Sequence, residues 1–205
     1  MRYMSYSNFN WIDDRLAVGG FVTESGEFPF DAILSLETHA PLTLRDVALS
    51  ESLEYRWHSI IDGISYEEND AIVRRFDDAA EQIAAWLRDG KRVLVHCYMG
   101  ISRSVIAVAW YLVRYEGMSW EEALDLIRVA RTQANPNIRF EIPLRLAAGE
   151  RLTREDVARR IDAWVEVLLE REGIAVPTEE IWETLERQGT LDRLSEPVGR
   201  SIDPM

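Results

Sequence analysis

Hydrophobic positions in the first 150 residues follow two spacings, short apolar runs that predict strands and a 3.6-residue period that predicts helices. The predicted strands are residues 11–20, which end in a glycine pair, 31–36, 55–61 and 93–95. From Ile72 to Leu87 the apolar residues share one helical face, and Asp89-Gly90 ends that helix. Strands that alternate with helices need crossover connections. The pattern therefore predicts an α/β fold with a mainly parallel central sheet flanked by helices on both faces.

Two more helices are predicted after the last strand. One runs from near Ser102 to Gly117 with a nearly continuous apolar surface, which indicates that it is largely buried. The other begins at a capping box, Ser119-Trp120-Glu121-Glu122, and ends near Arg131. Residues 135–137, Asn-Pro-Asn, are predicted to form a loop.

From residue 151 onward the pattern is helical, without predicted strands. Thr153 can cap a helix that carries a wide apolar stripe and ends at Gly173, and Pro177-Thr178 can begin another. We therefore expect a first domain over residues 1–150 and a C-terminal helical extension over residues 151–205. We expect the stripe to pack within the chain; pairing with a second chain or selection of partners are the alternatives.

Composition narrows the possible partners and the compartment. The longest apolar run, residues 105–113, is too short for the roughly 20 residues of a membrane helix. The N-terminus lacks the apolar stretch of a secretory signal, and the single cysteine excludes an internal disulfide framework, so we expect a cytoplasmic protein without a membrane partner. The net charge of −13 argues against nucleic acid as a partner.

The residues that suggest chemistry surround the lone cysteine. Cys97 directly follows the predicted strand at residues 93–95 and His96, and five residues separate it from Arg103, at the start of the next helix. The five are Tyr98, Met99, Gly100, Ile101 and Ser102. Their backbone N–H groups, with that of Arg103, can encircle one anion, and the helix adds the positive end of its dipole. This spacing predicts a phosphate-binding loop.

Each residue type suits such a loop. The helix N-terminus and the adjacent cation should keep Cys97 a nucleophilic thiolate at neutral pH. Arg103 can bind two phosphoryl oxygens through its planar fork, which lysine could not do. Gly100 permits a positive φ. Ser104 can donate its hydroxyl to the sulfur, which should matter most when the thiolate is the leaving group.

The stretch Val-His-Cys-x-x-Gly-Ile-Ser-Arg-Ser resembles the active-site loop of dual-specificity protein phosphatases, within the cysteine-based tyrosine phosphatase superfamily. Tyr111-Leu112, Glu122-Ala123-Leu124, Pro136-Asn137 and Phe140 resemble that family's further segments, so the similarity covers residues 10–146. The resemblance implies a protein tyrosine phosphatase-like fold. It also implies a two-step reaction through a phosphocysteine formed by Cys97, with no metal or other cofactor.

The resemblance also implies a general acid upstream of the nucleophile. The matching residue is Asp62, thirty-five residues before Cys97 in a loop that carries an insertion at about residues 65–69. Asp70 is the alternative, although a residue just before an apolar helix is also a natural helix-start carboxylate. In this family the histidine before the nucleophile braces the loop, so His96 is expected to be a supporting residue.

The expected substrate is a phosphoprotein carrying phosphotyrosine, with phosphoserine and phosphothreonine also possible. The variable loop positions contain no lysine or second arginine, which argues against polyphosphorylated inositides and, less firmly, against nucleotides. A phosphopeptide-binding scaffold with weak or no activity, and a phosphatase of inositides or nucleotides, are the alternatives. Contact of Arg139 with an acidic residue that flanks the phosphate is a weaker alternative, because most isolated arginines are solvated.

Overall fold

The computed structural model describes residues 8–21, 29–40, 53–61 and 68–195. Its strands are β1 (Phe9–Trp11), β2 (Leu16–Gly19), β3 (Ala32–Ser35), β4 (Glu54–Trp57) and β5 (Val93–His96). Its α-helices are α1 (Asn69–Arg88), α2 (Arg103–Tyr115), α3 (Trp120–Ala130), α4 (Ile138–Ala147), α5 (Arg154–Glu172) and α6 (Thr178–Arg187). A short 3-10 helix follows at Leu191–Arg193.

The five strands form one sheet in the order β1-β2-β5-β3-β4. Only β1 pairs antiparallel, with β2, and the other three pairings are parallel. This confirms the predicted α/β class and mainly parallel sheet. Because β5 lies between β2 and β3, its carboxyl end is at the centre of the sheet edge, where ligand sites of open parallel sheets are found.

The sequence pattern predicts a strand over residues 11–20 that runs into a turn at the glycine pair. The structure confirms a strand that leads into the glycines, but that strand, β2, begins only at Leu16. These residues contain the end of β1, a turn and β2. The Asp13 carboxylate accepts hydrogen bonds from the N–H groups of Arg15 and Leu16, both at 2.7 Å, which closes the turn.

Alternate residues of the central strands face opposite sides of the sheet. Val93 and Val95 join the main apolar cluster with helices α1 to α4, whereas Leu94 joins a smaller cluster on the other face that contains Phe30.

Among the described residues, no helix is long and apolar enough to cross a membrane.

The C-terminal helices pack around a second apolar cluster, built from Ile138, Ile142, Leu152, Val157, Ile161, Trp164, Ile181 and Leu185. The predicted cap at Thr153 forms a capping box with Asp156, and Gly173 ends α5 with a φ of 66°. Helix α4, which the sequence pattern does not predict, contributes to both clusters: Ile138 and Ile142 face the second, and Phe140 and Leu144 face the main one. The division of the chain at residue 150 stays a prediction.

Candidate active site

Cys97 follows the central strand β5 and is almost fully buried. Its backbone N–H donates to the carbonyl oxygen of Gly19 at the end of β2, at 3.2 Å. Helix α2 begins at Arg103, so the six residues from 97 to 102 form the whole connection between sheet and helix. The sulfur is thereby fixed at the carboxyl edge of the parallel strands, with a helix N-terminus beside it.

Five consecutive carbonyl oxygens of this loop, those of residues 98 to 102, accept hydrogen bonds from donors outside the loop. The donors, in that order, are the Phe21 N–H, the Arg131 guanidinium twice, the Asn135 N–H and the Ile106 N–H, at 2.5–3.0 Å. In a trans peptide the N–H points opposite to the carbonyl. The N–H groups of residues 99 to 103 therefore face the inside of the loop, and that of Gly100 lies 3.3 Å from the Cys97 sulfur.

Arg131, which the sequence pattern identifies only as a helix end, is the main support of this loop. Its Nε donates to Gly100 and its Nη2 donates to Met99, while the two Nη atoms also bind the amide oxygens of Asn10 and Asn8 at 2.8 Å. Burial lowers the pKa of Arg131, and the nearby Cys97 partly offsets this. No sequence pattern distinguishes this buried arginine from the exposed ones.

The loop of residues 97–102, which we call the phosphate loop after its predicted role, lies against the end of β2 with almost no space between the two backbones. Gly100 has a φ of 70°, the positive value that the sequence argument requires. A Cβ atom at Gly100 would lie 2.4 Å from backbone atoms of Gly19 and Gly20, and one at Gly20 would lie 2.7 Å from the backbone of Met99. These three glycines form a seat that no methyl group can enter without displacing the backbone.

The Arg103 side chain is buried beside the loop and is fixed by residues that follow two other strands. Its Nη1 donates to the carbonyl oxygen of Ile60 at 3.0 Å and lies 3.5 Å from a carboxylate oxygen of Glu37, which is itself mostly buried. No sequence pattern identifies Glu37, because a single glutamate after a strand carries no signature.

Ser104 lies directly beneath the sulfur. Its hydroxyl oxygen is 3.4 Å from the Cys97 sulfur and 3.0 Å from the Gly19 carbonyl oxygen. A hydroxyl has one hydrogen, so it can donate to the carbonyl or to the sulfur but not to both. The arrangement allows Ser104 to transfer its donation to the sulfur when the sulfur carries negative charge.

His96 is fully buried, with Nδ1 3.3 Å from the carbonyl oxygen of Cys97. Burial, as the largest cause, lowers its pKa to about 4. The imidazole is therefore neutral at physiological pH and contacts the loop backbone, a geometry that fits a supporting residue.

The remaining loop residues differ in exposure. Tyr98 and Met99 are 63% and 55% exposed, Ile101 is half-buried, and Ser102 is buried with its hydroxyl accepting from the Asn137 N–H at 3.1 Å. The Asn-Pro-Asn loop thus packs against the phosphate loop. Tyr98 and Met99 form its outer rim.

Of the two candidate general acids, the structure describes only Asp70. Asp62 lies outside the described residues. Asp70 is in the first turn of α1, and its exposed carboxylate binds Arg193 at 2.7 Å.

Arg139 does not meet the expectation of a contact with a flanking substrate residue. It is buried near Glu180, with its guanidinium 5.9 Å from the centre of the Trp164 ring. It therefore belongs to the packing of the C-terminal helices.

The described part of the chain contains no group of three histidine, cysteine, aspartate or glutamate side chains that could hold a metal ion. What the site offers is a sulfur, a ring of backbone donors and the buried guanidinium of Arg103. Such an arrangement can bind a tetrahedral oxyanion and attack its central atom.

The comparisons with known protein families and with curated proteins agree on one family. The model of the family described as "Dual specificity phosphatase, catalytic domain" matches residues 21–148, which is more than half of the chain. Dual specificity protein phosphatase 1B of Arabidopsis thaliana is 40% identical over 83 residues, which cover 40% of this chain and 49% of that protein. Dual specificity protein phosphatase 22 of Xenopus tropicalis is 40% identical over 70 residues, which cover 34% of each. The matched region thus spans about half or less of these relatives.

Solved structures agree on the fold. The crystal structure of human DUSP28 superimposes with a TM-score of 0.55 at 18% sequence identity, covering 69% of this chain and 93% of that one. At this identity the likeness concerns the fold alone. Residues 149–205 lie outside the matched family segment.

Proposed function

Because the chain belongs to the dual-specificity phosphatase family, we propose that it is a cysteine-dependent phosphatase that hydrolyses phosphomonoesters of proteins through a phosphocysteine. Its substrates are phosphotyrosine and also phosphoserine and phosphothreonine residues. The observation that carries the proposal is the Cys97 sulfur within hydrogen-bonding distance of the inward N–H of Gly100, in a loop whose carbonyl groups at residues 98 to 102 are all engaged from outside.

The first step transfers the phosphoryl group to sulfur. The Cys97 thiolate attacks phosphorus, the S–P bond forms, and the P–O bond to the leaving group breaks. Loop N–H groups and the fork of Arg103 bind the phosphoryl oxygens while charge spreads over them. Asp62, as a carboxylic acid, donates its proton to the leaving oxygen.

The second step releases phosphate. Asp62, now a carboxylate, takes a proton from water, the water oxygen attacks phosphorus, and the S–P bond breaks. Ser104 donates a hydrogen bond to the departing thiolate and keeps its proton. We favour Asp62 over Asp70 because the carboxylate of Asp70 already pairs with Arg193 on the surface.

The rim of the loop supports a protein substrate. Tyr98 and Met99 are exposed beside the nucleophile, and Ile61, the residue before Asp62 in the chain, is also exposed. Side chains of this kind suit an extended peptide. A polyphosphorylated head group would instead need additional cations.

Hydrolysis of p-nitrophenyl phosphate and of a phosphotyrosine peptide tests the proposal. We expect turnover by the intact chain and a loss on the order of 10⁴-fold or more in Cys97→Ser, because the nucleophile is gone. Val129→Ala, at a position 85% exposed on α3, is the control and should retain wild-type activity. Iodoacetate at mildly acidic pH should inactivate the protein, and inorganic phosphate should protect it.

Other outcomes would overturn the proposal. If the intact chain binds the phosphopeptide without turnover, it is a scaffold. If it hydrolyses a phosphoinositide or a nucleotide much faster than any phosphopeptide, the protein substrate is wrong although the chemistry stands.

A further inference from the structure

Half of the large apolar side chains that are exposed in the described part of the chain lie at one edge of the sheet, around Cys97. They are Trp57 at the end of β4, Ile61 four residues later, and Tyr98 and Met99 in the phosphate loop. Exposed apolar residues that lie together mark interaction sites, whereas single ones are normal on a protein surface. We call these four residues the apolar rim.

Trp57 lies beside the site, on the side of β3 and β4. It pairs with Ser35 of β3, which also pairs with His96 of β5, so the backbones of Trp57 and His96 are two strand spacings, about 10 Å, apart. The indole N–H of Trp57 donates to the carbonyl oxygen of Glu37 at 2.8 Å, and the carboxylate of Glu37 lies 3.5 Å from Arg103. The Trp57 side chain is therefore fixed near Arg103 and remains 41% exposed.

Ile61 lies on the same side of the site. The residue before it, Ile60, is buried, and its carbonyl oxygen accepts from Nη1 of Arg103 at 3.0 Å. Ile61 is 60% exposed, so the chain directs one apolar side chain into the core and the next one into solvent. Trp57 and Ile61 thus form one half of the apolar rim, and each is attached to Arg103 through one neighbouring residue.

Tyr98 and Met99 form the other half of the apolar rim, on the side of β2. The carbonyl oxygen of Tyr98 accepts from the N–H of Phe21, which follows β2, at 2.8 Å, and the backbone of Met99 lies against Gly20. In the sheet, β2 and β3 flank β5 on opposite sides. Because Cys97 follows β5, the two halves of the apolar rim lie on opposite sides of the sulfur.

We propose that the apolar rim selects phosphopeptides that carry large apolar residues on both sides of the phosphorylated residue. The inference rests on the proposed function and names the substrate class of that site. An extended peptide advances about 3.3 Å per residue, so three residues on each side of the phosphorylated residue reach about 10 Å, as far as the backbone of Trp57. Apolar side chains at these positions bury surface against the rim. Carboxylates there would find no cation in the rim and would approach a chain with a net charge of −13.

Phosphotyrosine peptides that differ only in their flanking residues test the preference. Leucine, serine or glutamate occupies the first and third positions on each side, serine occupies the second, and kcat/KM is measured by phosphate release. We expect kcat/KM of the intact chain to be about 10-fold or more higher for the leucine peptide than for the serine peptide, since partial burial of two leucine side chains gives roughly this factor. The glutamate peptide should have the lowest kcat/KM.

Two one-sided peptides, with leucine only before or only after the phosphotyrosine, separate the halves of the rim. Trp57→Ala should lower the preference for leucine over serine by about 3- to 10-fold in one of these peptides, and Tyr98→Ala should do so in the other. The ratio of two peptides within one variant cancels any change at the phosphate site that affects both equally. Leu169→Ala, at a position 55% exposed on α5, is the matched control and should keep the wild-type ratios.

If Trp57→Ala does not fold, Ile61→Ser tests the same half of the rim from an exposed position. The inference is overturned if the intact chain does not prefer the leucine peptide to the other two, or if the rim variants keep the wild-type ratios. It is also overturned if Trp57→Ala and Tyr98→Ala affect the same one-sided peptide, or if Leu169→Ala changes the ratios as they do. An intact chain that hydrolyses none of the peptides would instead overturn the proposed function.

Discussion

The phosphate loop and the C-terminal helices are stabilised by opposite kinds of interaction. The loop is held by polar contacts, chiefly from Arg131 and the neighbouring backbone, while its side chains at Tyr98 and Met99 face outward. The C-terminal helices are held by an apolar cluster. The strength of a hydrogen bond depends on its direction, whereas the stabilisation from apolar burial is non-directional and roughly proportional to the buried area. Loss of a loop contact should therefore alter geometry and catalysis first, and loss of a cluster contact should alter stability first.

The largest expected effect is the loss of activity after substitution of Arg131, the residue that supports the phosphate loop. Arg131→Met should lower kcat/KM for p-nitrophenyl phosphate by about 10²- to 10³-fold, because the carbonyl groups of Met99 and Gly100 lose their donor and the inward N–H groups shift. Arg128→Met, at a partly exposed position on α3, is the control. Wild-type kcat/KM in a folded Arg131→Met protein would contradict the comparison.

The second prediction concerns the apolar cluster. Ile161 is 1% exposed, so Ile161→Ala should lower the free energy of unfolding by about 2–5 kcal/mol, measured by urea denaturation. For difluoromethylumbelliferyl phosphate, kcat/KM should stay within about 2-fold of wild type where the variant is folded. Ile161→Val should lower the free energy of unfolding by about 0.5–1.5 kcal/mol. A large loss of activity with unchanged stability would reverse the comparison.

The third prediction concerns the change of stability with pH that results from the buried His96, beside the phosphate loop. His96 has its pKa lowered to about 4 by burial, from 6.5 in the unfolded chain, so between these values the unfolded chain binds more protons. Its contribution to stability is complete above pH 6.5 and is lost as pH falls toward 4, by about 2–3 kcal/mol at pH 4.5. The measurement is the free energy of unfolding at pH 7 and 4.5 in wild type and His96→Gln. The variant should lose less stability on acidification, and an equal loss in both would contradict the assignment.

Local patterns predict much of the fold. The buried strand β5 and the helix starts at Ser119 and Thr153 follow from apolar runs and capping residues, and the structure confirms each of them. Helix α4 does not follow from any pattern. Its residues 138–144 are all buried because it lies between two apolar clusters, so it shows no polar face and includes Pro143 and the buried Glu141.

The residues of the site also fall into two groups, those that a local motif predicts and those that only the tertiary structure brings to the loop. Cys97, Gly100 and Arg103 belong to one contiguous stretch of chain, and a contiguous motif can be interpreted from the sequence alone. Arg131 and Glu37 reach the loop from distant parts of the chain through tertiary packing. Their roles depend on the relative positions of α3, β3 and the loop, which no local spacing encodes. The roles of Cys97, Arg103 and Asp62 remain predictions until the variants are assayed.

The close contact of Gly19, Gly20 and Gly100 constrains one side of the loop, whereas its solvent-exposed side is free of such contacts. A side chain at Gly20 or Gly100 would displace backbone atoms, so we expect substitutions there to disrupt the loop whatever the substrate. Tyr98 and Met99 extend into solvent and can change without altering the interior. We therefore expect exchanges of these two outer side chains to change the preference among phosphorylated substrates, while the chemistry proposed for the sulfur is retained.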